Sequence, residues 1–423
     1  MGKVVVVGGG YAGISAAIGA KKQGHDVVLL EKTDLLLGLG NVGGIMRNNG
    51  RFTATEENIA LGASEIFDIT DRYSLHKNVD FPGHKHASFY DANKVESELR
   101  KLVKSLDIEI KFQTRAVDVT MDDRKITGVK LANGTHVKGD VFVEATGSSG
   151  PMGNCTKYGN GCSMCVLRCP AFGPRVSLTD KAGLEDLFAL RDDGLKGAFS
   201  GSCKLDKGTL SKKIQKKLDK DGYAIVPLPK HLINKEKLNK KVCQQYALDE
   251  FAENIILIDV GCAKLMTSYF DLEDLRTVEG FENARYIDPY AGGKGNSIRY
   301  MSVGMRNEYM QAMGIENMFL AGEKSGFFVG HTEAITTGSL AGYNAGRLLR
   351  GEAQLNLPNE LATGELLSYS LKTLAEDDCL KRRFTFAGGE FFKHMKERGL
   401  YTTDVKAIRK KVESAGLLNV YNS

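Results

Sequence analysis

The chain has no uninterrupted apolar stretch near the roughly 20 residues that a membrane-spanning helix needs, although 42% of its 423 residues are hydrophobic. A helical membrane protein is therefore not expected. No apolar leader precedes the first strand-like run, Val4 to Val7, so the chain is read as cytoplasmic, with no membrane partner. Only one G-x-G-x-x-G follows a strand, and without a second no separate nicotinamide domain is expected. The net charge of +5 is small and says little about partners by itself. Cysteine is sparse too: of eight, four crowd into Cys155, Cys162, Cys165 and Cys169. In a reduced compartment such crowding points to metal or redox chemistry rather than structural disulfides. The length allows two or three domains and a large core.

Glycine is what the chain has in plenty, and the first cluster carries chemistry. Residues 3 to 32 read KVVVVGGGYAGISAAIGAKKQGHDVVLLEK. A β-branched run suits a parallel strand covered on both faces. Gly8, Gly10 and Gly13 then supply the tight turn, the close approach of backbone to a pyrophosphate, and close helix–strand packing. The pyrophosphate would rest on the amino end of the following helix. Glu31 ends the second strand, 18 residues after Gly13, where a carboxylate can accept hydrogen bonds from ribose hydroxyls. Strand, loop, helix, strand and terminal acid in this order predict dinucleotide binding. Gly38 to Gly44, with Gly43 and Gly44 at its end, is a glycine-rich loop that could pass along a flavin or be a plain surface turn.

Further on, Asp140 to Gly147 (DVFVEATG) reads as an apolar strand after hairpin-like segments around Asn133-Gly134. Residues 318 to 323 (MFLAGE) form another, and Thr332 to Leu349 a helix suited to small-residue packing. Here the sequence resembles the two-dinucleotide-binding-fold FAD flavoproteins. It is most similar to the branch of folate-dependent tRNA uridine methyltransferases and carboxymethylaminomethyl-uridine enzymes. The shared residues are Phe-Leu-Ala-Gly-Glu, then Gly330-x-x-Glu333-Ala334, Gly338-x-Leu340-Ala341-Gly342-x-Asn344-Ala345, and Gly364-Glu365-Leu366-Leu367-x-Tyr369. The resemblance spans roughly residues 1 to 150 and 285 to 370 and is weak between them. It implies FAD, with Gly322 and Glu323 near the ribityl–phosphate region and the helix start near Thr332 aimed at the flavin pyrimidine. Negative charge developing there on reduction suits a helix amino terminus. Gly147, at its strand end, is expected beside the cofactor.

Residues 153 to 176 give the spacing C-x6-C-x2-C-x3-C-P. Its last part matches bacterial ferredoxins, so Cys155, Cys162, Cys165 and Cys169 are candidate ligands of one [4Fe–4S] cluster. Zinc and metal-free redox thiols are the alternatives. Of the dispersed cysteines, Cys262 is the one to watch. His331 with Glu333, at the start of the flavin-facing helix, is the candidate proton-handling pair. His84 and His86, two apart, would share a face of a strand.

Between Lys204 and Lys241 stand twelve lysines and four acids. A solvated helical face is one reading, with Leu210, Ile214, Lys217 and Leu218 as its stripe. An acidic donor protein or RNA phosphates are the others. The window holds no arginine and one aromatic, Tyr223, so base stacking is poorly supported.

The expected fold class is α/β: a Rossmann-like FAD-binding fold with an inserted α+β substrate or cap domain carrying the cysteine-rich loop, and a helical C-terminal tail. The expected divisions are 1–150 and 285–351 for the FAD domain, 151–284 for the insertion and 352–423 for the tail. The main functional expectation is an FAD- and [4Fe–4S]-dependent oxidoreductase passing electrons between a donor and a small substrate or carrier. The alternative is a flavin- and folate-dependent RNA uridine methyltransferase or a related RNA-modifying flavoenzyme.

Overall fold

A computed structural model of the chain describes residues 2–147, 172–196, 198–199, 203–239, 244–266, 271–287, 298–299 and 301–423. Five parallel strands form its centre: β1 (Lys3–Val7), β2 (Asp26–Leu30), β3 (Glu109–Lys111), β4 (Val141–Glu144) and β5 (Met318–Leu320). They lie side by side in the order β5-β4-β1-β2-β3. Both faces are covered, which is why β1 reads as an unbroken valine run. Val4 and Val6 meet the layer containing the helices α1 (Tyr11–Lys22) and α2 (His331–Arg350). Val5 and Val7 meet an antiparallel meander, Ala116–Asp122, Lys125–Leu131 and His136–Lys138, with Asn133-Gly134 in its last turn. The expected α/β Rossmann-like class is the one the chain adopts.

The two helices touch backbone to backbone. A Cβ on Gly338 would stand 2.2 Å from the carbonyl oxygen of Ala12, and one on Gly342 2.0 Å from that of Ala16. One turn further, a Cβ on Gly346 would stand 2.5 Å from Cβ of Gln23. The facing positions rise together along both chains, so α1 and α2 run parallel and their amino ends lie side by side. Small residues every fourth position make this approach possible.

The inserted region carries a four-stranded antiparallel sheet, in the order Cys203–Leu205, Ala263–Leu265, Asn254–Asp259, Tyr223–Pro227. Ile255 and Leu257 pack with Ile214 and Leu218 of the helix Lys212–Asp221. Ile256, Ile258 and Val260 pack on Phe81, Ala87 and Phe89 of a three-stranded sheet next to the cleft described below. The lysine-rich helix is thus anchored on one apolar side. Lys217, counted in the expected stripe, is instead exposed and pairs with Asp221 at 2.6 Å.

The tail, expected to be helical, forms three helices, Ala362–Thr373, Gly389–Glu397 and Val405–Ser414. Phe391, Met395 and Val412 put it in the same core cluster as α1 and α2. His84 and His86 do not form a pair. His86 has φ of 60°, which breaks the alternation, and His84 is buried against Phe81 at 4.5 Å. Burial holds the His84 imidazole neutral, its pKa pushed down to about 3. Among the described residues no helix is long and apolar enough to cross a membrane.

Gly342→Ala places a methyl group against the Ala16 carbonyl. It is expected to cost about 1–3 kcal/mol of stability, read as a lowered denaturation midpoint. An unchanged midpoint would show that the helices have room to part.

Candidate functional site

A cleft of about 1480 Å³, counting its open mouth, runs along the carboxyl ends of the parallel strands. Ligands of open α/β sheets bind at this edge. The amino ends of α1 and α2 both open into it, through Gly10, Tyr11 and Ala12 and through Gly330, His331 and Ala334. Neither helix has a side-chain cap. The first-turn amides have no intrahelical acceptor, so two positive helix ends converge on one space.

At the first end, the glycines divide their tasks as the sequence suggests. Gly8 has φ of 109°, and a Cβ there would stand 2.3 Å from the carbonyl oxygen of Ala145. Gly13 does not line the cleft; a Cβ on it would lie 1.8 Å from the Gly8 carbonyl oxygen, so it serves packing. A Cβ on Gly10 would meet only the Leu37 carbonyl oxygen, at 3.9 Å, and would otherwise enter the cleft. Glu31 lines the cleft too, with its carboxylate held in place. Its Oε2 accepts from the Gly9 amide at 2.8 Å, and its Oε1 accepts from the Thr33 amide and hydroxyl at 2.9 Å.

At the second end, the structure separates the expected pair. His331 lines the cleft, above Gly43, where a Cβ would stand 2.0 Å from its Cε1. Glu333 does not. Its side chain is fully buried and accepts from Arg51 Nε at 3.2 Å, Thr385 Oγ1 at 2.7 Å and the Phe386 amide at 2.8 Å. A carboxylate so occupied fastens the start of α2 to two other segments. Removing one partner of such a buried pair costs about 3–5 kcal/mol. Gly330 must be glycine, because with φ of 144° its Cβ would collide with both Arg51 and Glu333 at 2.0 Å.

Of the other expected contacts, Gly43, Gly147, Gly322 and Glu323 line the cleft, and Gly44 and Thr332 do not. Gly44 lies against Val260 of the insertion, 2.2 Å from its would-be Cβ. Thr332 is buried with its hydroxyl toward Met46 sulfur at 3.7 Å, leaving only its backbone amide to the open first turn.

Several residues of the site carried no sequence signal. Tyr11 Oη donates to Tyr90 Oη at 3.0 Å, and Tyr90 Oη lies 3.2 Å from His331 Nδ1. Burial pushes the Tyr90 phenol up to about 12 and Tyr11 well above its ordinary value. Both therefore stay protonated at neutral pH. Tyr11, Tyr90 and His331 thus form one hydrogen-bonded chain from the glycine turn to the start of α2. Lys264 of the insertion donates to the Gly43 carbonyl at 2.8 Å from a buried position. Gln245, Tyr246 and Met266 of the same region complete that wall. Tyr11 sits inside the glycine motif and could have been singled out. Lys264 and Arg51 reach the cleft, and Tyr90 reaches His331 behind it, only through tertiary packing.

Cys155, Cys162, Cys165 and Cys169 lie outside the described residues. Among the described residues, no group of three or more His, Cys, Asp and Glu side chains could hold a metal ion. Cys262 is buried, and burial pushes its thiol up, which suits a packing residue rather than a nucleophile.

A family model described as Glucose inhibited division protein A matches residues 3–258 and 260–353, including the stretch where the resemblance had been weak. The methylenetetrahydrofolate–tRNA-(uracil-5-)-methyltransferase TrmFO of Aquifex aeolicus is 32% identical over 120 residues, 28% of this chain and 26% of that protein. The FAD-dependent monooxygenase ntnJ of Nectria sp is 26% identical over 154 residues, 34% of this chain and 36% of that protein. These alignments therefore span about a quarter to a third of the relatives' own length. The crystal structure of Aquifex aeolicus GidA superposes with a TM-score of 0.66 at 18% identity, covering 98% of this chain and 76% of that one. It shares the fold. The family match and the methyltransferase relatives overturn the main expectation of an iron–sulfur electron-transfer oxidoreductase and stand with its alternative.

Because a side chain at position 10 meets open cleft rather than protein, Gly10→Val should separate folding from cofactor binding. The variant is expected to keep the apoprotein's denaturation midpoint and to be purified without nucleotide. Full nucleotide occupancy in the variant would place the pyrophosphate elsewhere.

Proposed function

The chain belongs to the glucose inhibited division protein A family, whose fold binds FAD, and from that premise we propose that it is an FAD-dependent enzyme modifying uridine in tRNA. The proposed reaction is transfer of a one-carbon unit to the uracil ring, the activity named for the Aquifex methyltransferase relative. The observation that carries this reading is the family match over both walls of the cleft.

The residues present fit FAD. The space left open at Gly10, beside the amino end of α1, suits the pyrophosphate. Gly8 and Gly13 shape that turn, and Glu31 stands where the adenosine ribose would lie. Gly43, Gly147 and Gly322 line the cleft and would bring backbone to the cofactor, with Gly44 setting the loop and Glu323 assigned to the ribityl chain. The first-turn amides of α2, Thr332 among them, would meet the pyrimidine edge of the flavin.

When bound, the flavin supplies reversible electron-pair chemistry at its ring. The protein groups position and protonate. His331, its Nδ1 3.2 Å from Tyr90 Oη, lines the cleft and is the proton-handling group of this reading. Glu333 and Arg51 keep the amino end of α2 in place under that ring. Lys264 and the two helix ends stabilise negative charge developing in the cleft. Residues 151–284 are read as the substrate-facing insertion, since Gln245, Tyr246 and Met266 reach the cleft from there. Cys155, Cys162, Cys165 and Cys169 would hold a [4Fe–4S] cluster within it, a reading supported by their spacing alone.

Supplied with methylenetetrahydrofolate and a nicotinamide reductant, the holoenzyme is expected to leave methylated uridine in an unmodified tRNA transcript, read by mass spectrometry of the nucleoside digest. Unmodified uridine under every donor combination would sink the reading. His331→Gln should lower kcat about 100-fold with FAD content unchanged, and Tyr90→Phe should lower it less, with KM preserved. Loss of FAD from both variants would make them cofactor ligands instead. Iron and acid-labile sulfide should accompany the anaerobically purified protein, and zinc in their place would refute the cluster.

A further inference from the structure

Most buried cations of this protein have a visible partner. Arg51 meets Glu333, Arg47 meets Asp71 at 2.5 Å, and Lys324 meets Asp186 at 2.5 Å. Arg306, whose pKa burial pushes down to about 9, spends its donors on carbonyls and a hydroxyl. Arg175 differs. Its Nη1 is buried and has no hydrogen-bond partner, while the residue lines the cleft. A buried guanidinium N–H without an acceptor is costly, so the structure is built for an acceptor that arrives from outside.

The place of Arg175 says which acceptor. A Cβ on Gly147 would stand 2.8 Å from Arg175 Nη1. Gly147 lies two residues beyond Ala145, whose carbonyl packs against Gly8 in the nucleotide turn. The guanidinium therefore stands next to the turn that the amino end of α1 shares. The same wall holds Lys32, which donates to the Gly173 carbonyl at 2.7 Å, and Arg115, whose Nε lies 2.6 Å from a would-be Gly173 Cβ. Glu31, the nearby acid, already accepts from Gly9 and Thr33. Lys32, Arg115 and Arg175 thus bring three cationic side chains to this wall of the cleft.

The segment bearing Arg175 is held firmly. Glu144, at the end of β4, accepts from the Leu178 and Thr179 amides at 2.7 and 3.0 Å. Lys324 donates to Ser177 at 2.8 Å and pairs with Asp186. Burial alone would raise Asp186, but Lys324 and the hydroxyls outweigh it and hold the carboxylate below its ordinary value. A guanidinium on so fixed a segment is pre-organised, and its fork geometry suits a phosphate.

We propose that Arg175 clamps the pyrophosphate of the bound FAD, across from the amino end of α1. This rests on FAD occupying the cleft and is independent of the reaction carried out there. The anion could instead be a folate carboxylate or an RNA phosphate, and the test separates these by asking what loses its hold when Arg175 is changed.

The test follows FAD release from the gel-filtered holoprotein by the rise in flavin fluorescence, at low and high salt. Arg175→Met is expected to release FAD about 10- to 100-fold faster than wild type, as for a lost charge-assisted hydrogen bond. Release from wild type should quicken with salt, and release from the Met variant should respond less. Arg175→Lys should recover part of the retention, with both variants keeping the wild-type apoprotein midpoint; where the Met variant does not fold, the Lys variant and the salt response carry the test. A Met variant that keeps FAD as long as wild type overturns the inference and gives the arginine to a substrate anion. Absence of FAD from wild-type protein would overturn the premise, and the inference with it.

Discussion

The close parallel contact of α1 and α2 is the constraint from which the site follows. Gly338 and Gly342 let backbone meet backbone, so the two amino ends arrive side by side. Like ends of two helix dipoles repel, a cost that falls on the cleft they share. An anion at the shared end relieves it. Packing of the helices and occupancy of the cleft are thus coupled, and a bound dinucleotide stabilises the folded chain by mass action as well.

A second set of contacts joins the flavin end to the rest of the molecule. Arg51 reaches Glu333, Val329 and Thr385, tying the start of α2 to the helix at 50–61 and to the segment between the first two tail helices. From the other side the insertion presses Val260 against Gly44 and places Lys264 on the Gly43 carbonyl. The loop that would pass along the flavin is therefore held between the sheet domain and the insertion, and movement of either is felt by the other.

What was legible in the sequence was local. The run from Lys3 to Glu31 folds as read because each strand, turn and helix is specified by its own few residues. The small residues of α2 announced tight packing, and the apolar stripes of the tail announced helices. Gly8, Gly10, Gly43, Gly147 and Gly322, singled out for their backbone, all line the cleft. The site was illegible where a side chain depends on a distant partner. Glu333 looked like a proton carrier beside His331, yet Arg51, 282 residues away, claims it. Tyr90 meets His331 across 241 residues. No spacing rule reports such pairs, since they arise only when separate layers pack. His86 failed differently: a left-handed residue in the strand shifts the alternation that a face-sharing pair requires.

One part of the cleft carries nine glycines, among them Gly8, Gly10, Gly43 and Gly322, and another carries Gln245, Tyr246, Lys264 and Met266 of the insertion. Variation is tolerated unequally by two such walls. On the glycine side almost any replacement adds bulk, so mutation there subtracts function and selection preserves the wall. On the other side one side chain can be exchanged for another without disturbing the sheet behind it. A change of side chain that spares the sheet therefore has more room on the inserted segment than on the glycine-lined turn.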